Sequence, residues 1–176
     1  MRAMLCVVAV LVAVAAVRAD EEKVALDKLP KAVTDAVAKR FPKVEMKEAS
    51  KEKDGDKVVF EVSLKKDGKN IDVTVTEAGA ITLIEQQIEF KDLPKAVAKA
   101  FEDKYPKATY EIVETVTKVA DGKETLDYYE ATLVDASKKK WEVEVTPDGK
   151  VKAATEVKEE KKEEVKKEEK KEEKKK

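Results

Sequence analysis

Two kinds of apolar spacing alternate along this chain, and each occurs twice. From Leu29 to Phe41 the apolar positions Leu29, Val33, Ala36, Val37 and Phe41 fall at helical spacing, with Lys31, Asp35 and Lys39 on the other side. Pro30 suits a first helical turn, where a missing N–H costs no hydrogen bond. Pro42 cannot continue the helix and pushes Phe41 toward extended geometry. The pattern returns with Leu93, Val97, Ala100, Phe101 and Tyr105, set between Pro94 and Pro106. One short amphipathic helix is predicted at each place.

After each helix the apolar period drops from 3.6 to 2. Val58, Phe60, Val62 and Leu64 alternate with Val59, Glu61 and Ser63, and Ile71, Val73 and Val75 alternate with Asp72 and Thr74. These are half-buried strands, joined by a hairpin turn at Asp67-Gly68. Asp54-Gly55 precedes the pair, Ala78-Gly79 leads to a strand around Ile81 and Leu83, and a weaker strand from Val44 to Lys51 completes helix-then-four-strands. The second stretch runs the same way. A strand near Tyr110 and Ile112 reaches the turn Asp121-Gly122, followed by Tyr129, Ala131 and Leu133. Then come Trp141, Val143 and Val145, the turn Pro147-Asp148-Gly149, and a last strand near Val151.

The copies are in register through Leu29-Pro30-Lys31-Ala32-Val33 and Leu93-Pro94-Lys95-Ala96-Val97. Their offset grows from 64 at Leu29/Leu93 to 70 at Ile71/Trp141, which places insertions in turns. The expected fold class is therefore α+β: two tandem repeats, each one α-helix packed on a four-stranded antiparallel β-sheet, followed by a disordered Lys/Glu tail. The expected division is an export leader at 1–19, repeats at 20–90 and 91–157, and the tail at 158–176. A unit of about 64 residues is marginal alone, since ~60 residues bury only about 60% of their unfolded surface. The copies are accordingly expected to pack together, with one continuous sheet as a candidate arrangement.

Composition then narrows the chemistry. Arg2 precedes an unbroken apolar run from Ala3 to Val17, and Val17-Arg18-Ala19 fits the small-x-small rule for cleavage before Asp20. The run is shorter than the ~20 apolar residues a membrane span requires, so no span is expected after cleavage. Cys6 lies at the start of this run with no hydrophobic region upstream, which argues against a lipoprotein. The expected location is outside the cytoplasm, periplasmic or secreted. Loss of Arg2 and Arg18 leaves 35 basic against 38 acidic residues, a formal −3, which disfavours nucleic acid as a partner.

There is no histidine, and Cys6 is the single cysteine. After cleavage, zinc sites of His or Cys, cysteine nucleophiles, histidine bases and disulfides are all excluded. All five glycines are assigned to turns, leaving none for a phosphate-cradling loop. Ser50, Ser63 and Ser137 have no histidine to activate them and lack a nucleophile-elbow context. No Asp-x-Asp-x-Asp-Gly calcium loop occurs. No catalytic, cofactor-binding or metal-ligating residue is assigned, no cofactor is expected, and enzyme is the least favoured class. From Lys158 the chain is blocks of lysine and glutamate with Val165 its one apolar residue. That composition supports no heptad seam and reads as a solvated spacer of net charge +2.

The pattern Leu-Pro-x-Ala-Val, then Phe41-Pro42-Lys43 and Tyr105-Pro106-Lys107, then alternating strands with a late Asp-Gly turn, resembles tandem PepSY-like domains over about residues 26 to 157. These are exported bacterial modules grouped with the β-lactamase-inhibitor-protein fold. The resemblance implies one helix on a four-stranded antiparallel sheet, twice, and a non-enzymatic role in binding or inhibiting peptidases. Inhibitor-type relatives have helix-loop-helix elements and disulfides. This chain has one short helix per copy and no cysteine after the leader, which argues against β-lactamase inhibition itself.

Strand alternation singles out one candidate binding surface. With Val58, Phe60, Val62, Ile71 and Val73 facing the helices, the opposite face carries Val59, Glu61, Asp72 and Thr74. In the second copy it carries Tyr128, Glu130, Thr132, Glu142 and Glu144. An acidic face with one aromatic suits a protein or peptide partner, a peptidase among the candidates. The competing reading is an ordinary solvated sheet face. Trp141, in register with Ile71, reads as core. The leading expectation is an exported, non-catalytic binding module acting through the open sheet face. The rival is a structural or stress-related envelope protein without a discrete partner.

Overall fold

The computed structural model describes residues 22–55 and 57–157. The leader expected at 1–19, with its cleavage site, and the tail expected at 158–176 lie outside the described residues.

The apolar stripes fold as helices α1 (Lys31–Arg40) and α2 (Lys95–Lys104), flanked by Pro30 and Phe41 and by Pro94 and Tyr105. The Phe41 N–H donates to Val37 and the Tyr105 N–H to Phe101, closing each last turn. Lys43 and Lys107 then take left-handed φ angles of 67° and 61°, turning the chain away from the helix axis. A 3-10 turn precedes each helix, at Leu26–Lys28 and Phe90–Asp92; neither is anticipated from hydrophobic spacing.

The strands are β1 (Glu22–Lys23), β2 (Glu45–Asp54), β3 (Lys57–Lys66), β4 (Lys69–Thr76), β5 (Ile81–Gln87), β6 (Thr109–Ala120), β7 (Lys123–Val134), β8 (Lys140–Val145) and β9 (Val151–Glu156). They form one nine-stranded antiparallel sheet in the order β1 to β9. This overturns the expected fold class of two repeats, each with its own four-stranded sheet. β5 pairs with β6 from Leu83↔Lys118 to Gln87↔Glu114, so the ladder runs unbroken through the middle of the molecule. Two separate sheets would leave β5 and β6 as bare edges with unpaired N–H and C=O groups; joining them satisfies those groups internally.

Ile84 pairs with Thr117, and Val113 lies on the same face two pleats along, so both helices cover one side of the sheet. Beneath α1, Val33 and Val37 meet Phe60, Val62, Leu64, Ile71, Val73, Val75 and Ile84. Beneath α2, Val97 and Phe101 meet Val113, Tyr129, Ala131, Leu133, Val143 and Val145. Burying each such side chain contributes roughly 1.5–3 kcal/mol relative to exposure. Trp141 packs against this second cluster, half-buried, and its Nε1–H donates to Asp135 Oδ2 at 2.9 Å, which explains why it is not fully enclosed.

Two contacts tie the halves together on the covered side. Arg40 at the end of α1 makes a two-point ion pair with Glu124 of β7, at 2.7 and 3.1 Å. Val119, near the end of β6, packs against the cluster beneath α1. The long β6–β7 hairpin therefore reaches over the neighbouring core.

Candidate functional site

The side of the sheet facing away from the helices is where charge collects. Period-2 alternation dictates the set: every strand residue between two core-facing neighbours must point the other way. Cross-strand pairing then aligns these residues in rows. One row runs Ser63, Asp72, Glu85, Val116, Tyr128 from β3 to β7. The adjacent row runs Gln87, Glu114, Glu130, Glu144, Ala153 from β5 to β9. Carboxylates thus sit directly opposite one another at Asp72/Glu85, Glu114/Glu130 and Glu130/Glu144, in spite of the repulsion such pairs carry.

Glu85 is the centre of this arrangement. Burial, followed by the charges of Glu130, Glu114, Glu61 and Asp72, pushes its carboxyl from an ordinary 4.5 up to about 8. Glu114 is raised by burial and by Asp72. Burial also raises Asp72, opposed by the Ser63 hydroxyl, which donates to Asp72 Oδ1 at 2.6 Å. Val116, between Glu85 and Tyr128 in its row, is fully buried and belongs to neither hydrophobic cluster, so the outer side of the sheet centre is itself sheltered from water.

Of the residues singled out from sequence, Tyr128, Glu130, Thr132, Glu142 and Glu144 all fall on this face by register. Tyr128, Glu130 and Glu144 join the carboxylate cluster. Thr132 and Glu142 lie in the next row, with Ile112 and Thr155, further from Glu85. Tyr128 is not a bare aromatic: Lys152 Nζ lies 3.7 Å from its ring centroid while pairing with Glu144 at 3.1 Å and Asp127 at 3.2 Å. Lys118 closes on Asp127 at 3.0 Å from the other side. Burial, then Glu144, Glu130, Glu85 and Asp127, raises the Tyr128 phenol well above its usual range.

Glu85 and Glu114 were not picked out by sequence reasoning. Leu83-Ile84 breaks the alternation of β5, where the pairing with β4 shifts between Thr74 and Val75, and only the β5–β6 ladder brings Glu114 beside Glu85. The usable signal was parity: Glu85 is one residue from Ile84, which faces the core.

At the β2 end of this face, a cavity of about 30 Å³ is lined by Lys23, Glu48, Ala49, Ser50, Glu61 and Ser63. Ser50 is 4% exposed and its Oγ has no hydrogen-bond partner among the described residues. Among the described residues no group of three or more Asp, Glu, His or Cys side chains is placed to hold a metal ion. No helix among them is long and apolar enough to cross a membrane.

The fold and face together define a one-sided α+β sheet protein, helices on one side and a carboxylate-rich surface on the other. Solved structures show the same architecture. A BLIP-like protein from Bacteroides fragilis matches with a TM-score of 0.54 at 19% identity, over 72% of this chain and 84% of that one. A DUF2874 family protein from Bacteroides uniformis matches at 0.59 and 17%, over 73% and 89%. A candidate periplasmic protein from Bacteroides eggerthii matches at 0.60 and 16%, over 73% and 88%. At these identities the likeness is one of fold, and the fold is BLIP-like. No protein-family model and no curated protein matches the sequence.

Proposed function

We propose that this chain is an exported, non-catalytic binding module that engages a protein or peptide through the open sheet face. The observation that carries the reading is the asymmetry of the sheet. One face is closed by two helices, while the other concentrates Asp72, Glu85, Glu114, Glu130 and Glu144 and shelters Val116 at its centre. A sheet needing only solubility is served by threonine or isolated charges; adjacent like charges cost stability and suit a surface completed by a partner. Export is supported by the apolar leader sequence and by the fold's occurrence in a candidate periplasmic protein. The PepSY-like motif favours a peptidase as the partner class. In this reading residues 20–90 and 91–157 are the two sequence copies sharing one sheet, and 158–176 is a spacer.

The test is cross-linking capture from the extracytoplasmic fraction, using the mature chain and a variant carrying Tyr128→Ala, Glu130→Lys and Glu142→Lys. A stoichiometric partner that is lost with the variant is the expected result. A partner retained by the variant, or only diffuse envelope material on both baits, would favour a structural envelope role instead.

A further inference from the structure

We propose that the open face seats a cationic segment of a protein partner, an extended stretch presenting lysine or arginine, and that Glu85 gives up a proton as this segment docks. The inference rests on the open face being the binding surface and names the chemistry that surface selects.

Charge complementarity is the first ground. Groups facing Glu85 are acidic from every neighbouring strand: Asp72 from β4, Glu61 from β3, Glu114 from β6 and Glu130 from β7, with the Tyr128 phenol beyond Val116. Lysines on this side include Lys118 and Lys152, held by Asp127 and Glu144 at the β7–β9 end, Lys23 at the β1 edge, 3.7 Å from Glu48, and, by register, Lys65 opposite Asn70. Among the described residues, no lysine or arginine forms an ion pair with Asp72, Glu85 or Glu114. A positive group arriving here would convert mutual repulsion into pairing at a site partly withdrawn from water, where Coulomb interactions are stronger than at an exposed surface.

An independent observation stands at the other end of the face. Ser50 pairs across the ladder with Glu61, is almost wholly buried, and its Oγ, without a hydrogen-bond partner among the described residues, lines the cavity it shares with Lys23, Glu48, Glu61 and Ser63, where Lys23 lies 3.7 Å from Glu48. An entering donor would satisfy the Ser50 oxygen. A space of about 30 Å³ takes a water-sized group, and an ammonium head is of that size. One lysine of the docked segment donates to Ser50 at this cavity, beside the Lys23–Glu48 pair, while another lies over Glu85.

Proton release follows from geometry and charge together. A carboxyl ringed by four others holds its proton near neutrality, and a cation placed on it favours the ionised form. The proton passes to buffer as the segment binds. With Glu85 titrating at about 8, affinity should rise roughly tenfold from pH 7 to pH 9, because the free protein is then already ionised.

The experiment is titration calorimetry of residues 20–176 with hexalysine and with the same peptide acetylated on every Nε, in two buffers of different ionisation enthalpy. Hexalysine is expected to bind at least ten times more tightly than its acetylated form and to release a proton at pH 7. Asp72→Asn with Glu85→Gln and Glu114→Gln should weaken it about tenfold or more. Removing the same number of carboxyls off the face, Glu77→Gln with Glu89→Gln and Glu102→Gln, should cost less than threefold. Ser50→Ala, which leaves the charge unchanged, should weaken hexalysine two- to fivefold. Because the amide variants are near-isosteric, circular dichroism and the melting temperature establish that each has folded, and Glu85→Gln alone should abolish proton release. Equal losses in the two triple variants would overturn the site in favour of diffuse attraction. Equal binding of both peptides, or none of either, would overturn cation recognition while leaving the capture experiment free to succeed. Proton release persisting in Glu85→Gln would overturn the role of Glu85.

Discussion

The two faces of this sheet are built from the same strands by the same alternation, yet they solve opposite problems. On the covered face valines, leucines and aromatics close under α1 and α2, and Val62, Val73, Val97, Phe101, Ala131 and Val143 are 0% exposed. On the open face equally central positions carry Asp72, Glu85, Glu114 and Glu130, and the cross-strand pairs Asp72/Glu85 and Glu114/Glu130 set carboxylate against carboxylate. The difference teaches that pleating assigns a side but says nothing of what must lie there. Stability comes from the covered face. The open face carries an electrostatic cost that the covered face offsets.

The strongest way to break this contrast is to remove core volume and compare it with an open-face deletion. Phe101→Ala should lower unfolding free energy by about 3–5 kcal/mol in urea denaturation, whereas Thr132→Ala should change it by less than about 0.5 kcal/mol. Equal effects would mean that both faces are packed cores.

The next largest effect probes how closely the helices sit on the sheet. Gly149 has a φ of 82°, and a Cβ there would lie 2.8 Å from the Ala96 carbonyl oxygen at the start of α2; Gly79 meets Ala32 of α1 in the same way at 2.6 Å. Gly149→Ala or Gly79→Ala should each cost about 2–3 kcal/mol, because strained backbone and a backbone contact combine. Gly68→Ala, with nothing near its Cβ, should cost only the conformational part.

On the open face the expected change has the opposite sign and depends on pH. Glu85 has its folded pKa raised above the unfolded value, so the folded state binds the proton more tightly. Its relative stability is highest below about 4.5 and declines as pH climbs toward about 8. Thermal melts should show that decline, and Glu85→Gln should flatten it and stabilise the protein at pH 8 relative to the unsubstituted chain. A decline unchanged in Glu85→Gln would contradict the assignment.

The smallest effect concerns the link between the halves. Arg40→Ala should remove its two-point pair with Glu124 at a cost of about 0.5–1 kcal/mol, reduced further by salt, since both side chains are partly exposed. Glu124, held below its usual carboxylate range by the hydrogen bond from Arg40, should lose that depression when its titration is followed by NMR.

Both helices were legible because proline and aromatic residues bracket a clear 3.6 stripe. The core strands were legible because Val62, Val73 and Val143 alternate with polar neighbours. The same parity placed Tyr128, Glu130, Thr132, Glu142 and Glu144 on one face. Less was legible at β5 and β6, where Leu83-Ile84 and Ile112-Val113 put apolar residues side by side and bulges shift the register. The carboxylate pair Glu85 and Glu114 was lost there, and so was the centre of the candidate site.

What the sequence by itself determined is local: where each helix starts and stops, which strand residues share a side, and which chemistry the chain lacks for want of histidine and, beyond Cys6, of cysteine. These depend on periodicity and on backbone restrictions felt within a few residues. Tertiary structure decided that β5 pairs with β6, making one nine-stranded sheet where two of four strands were expected. It also decided that four carboxylates from four other strands gather about Glu85. Those outcomes rest on satisfying backbone groups between segments distant along the chain, and strand alternation carries no information about which strand will be the neighbour.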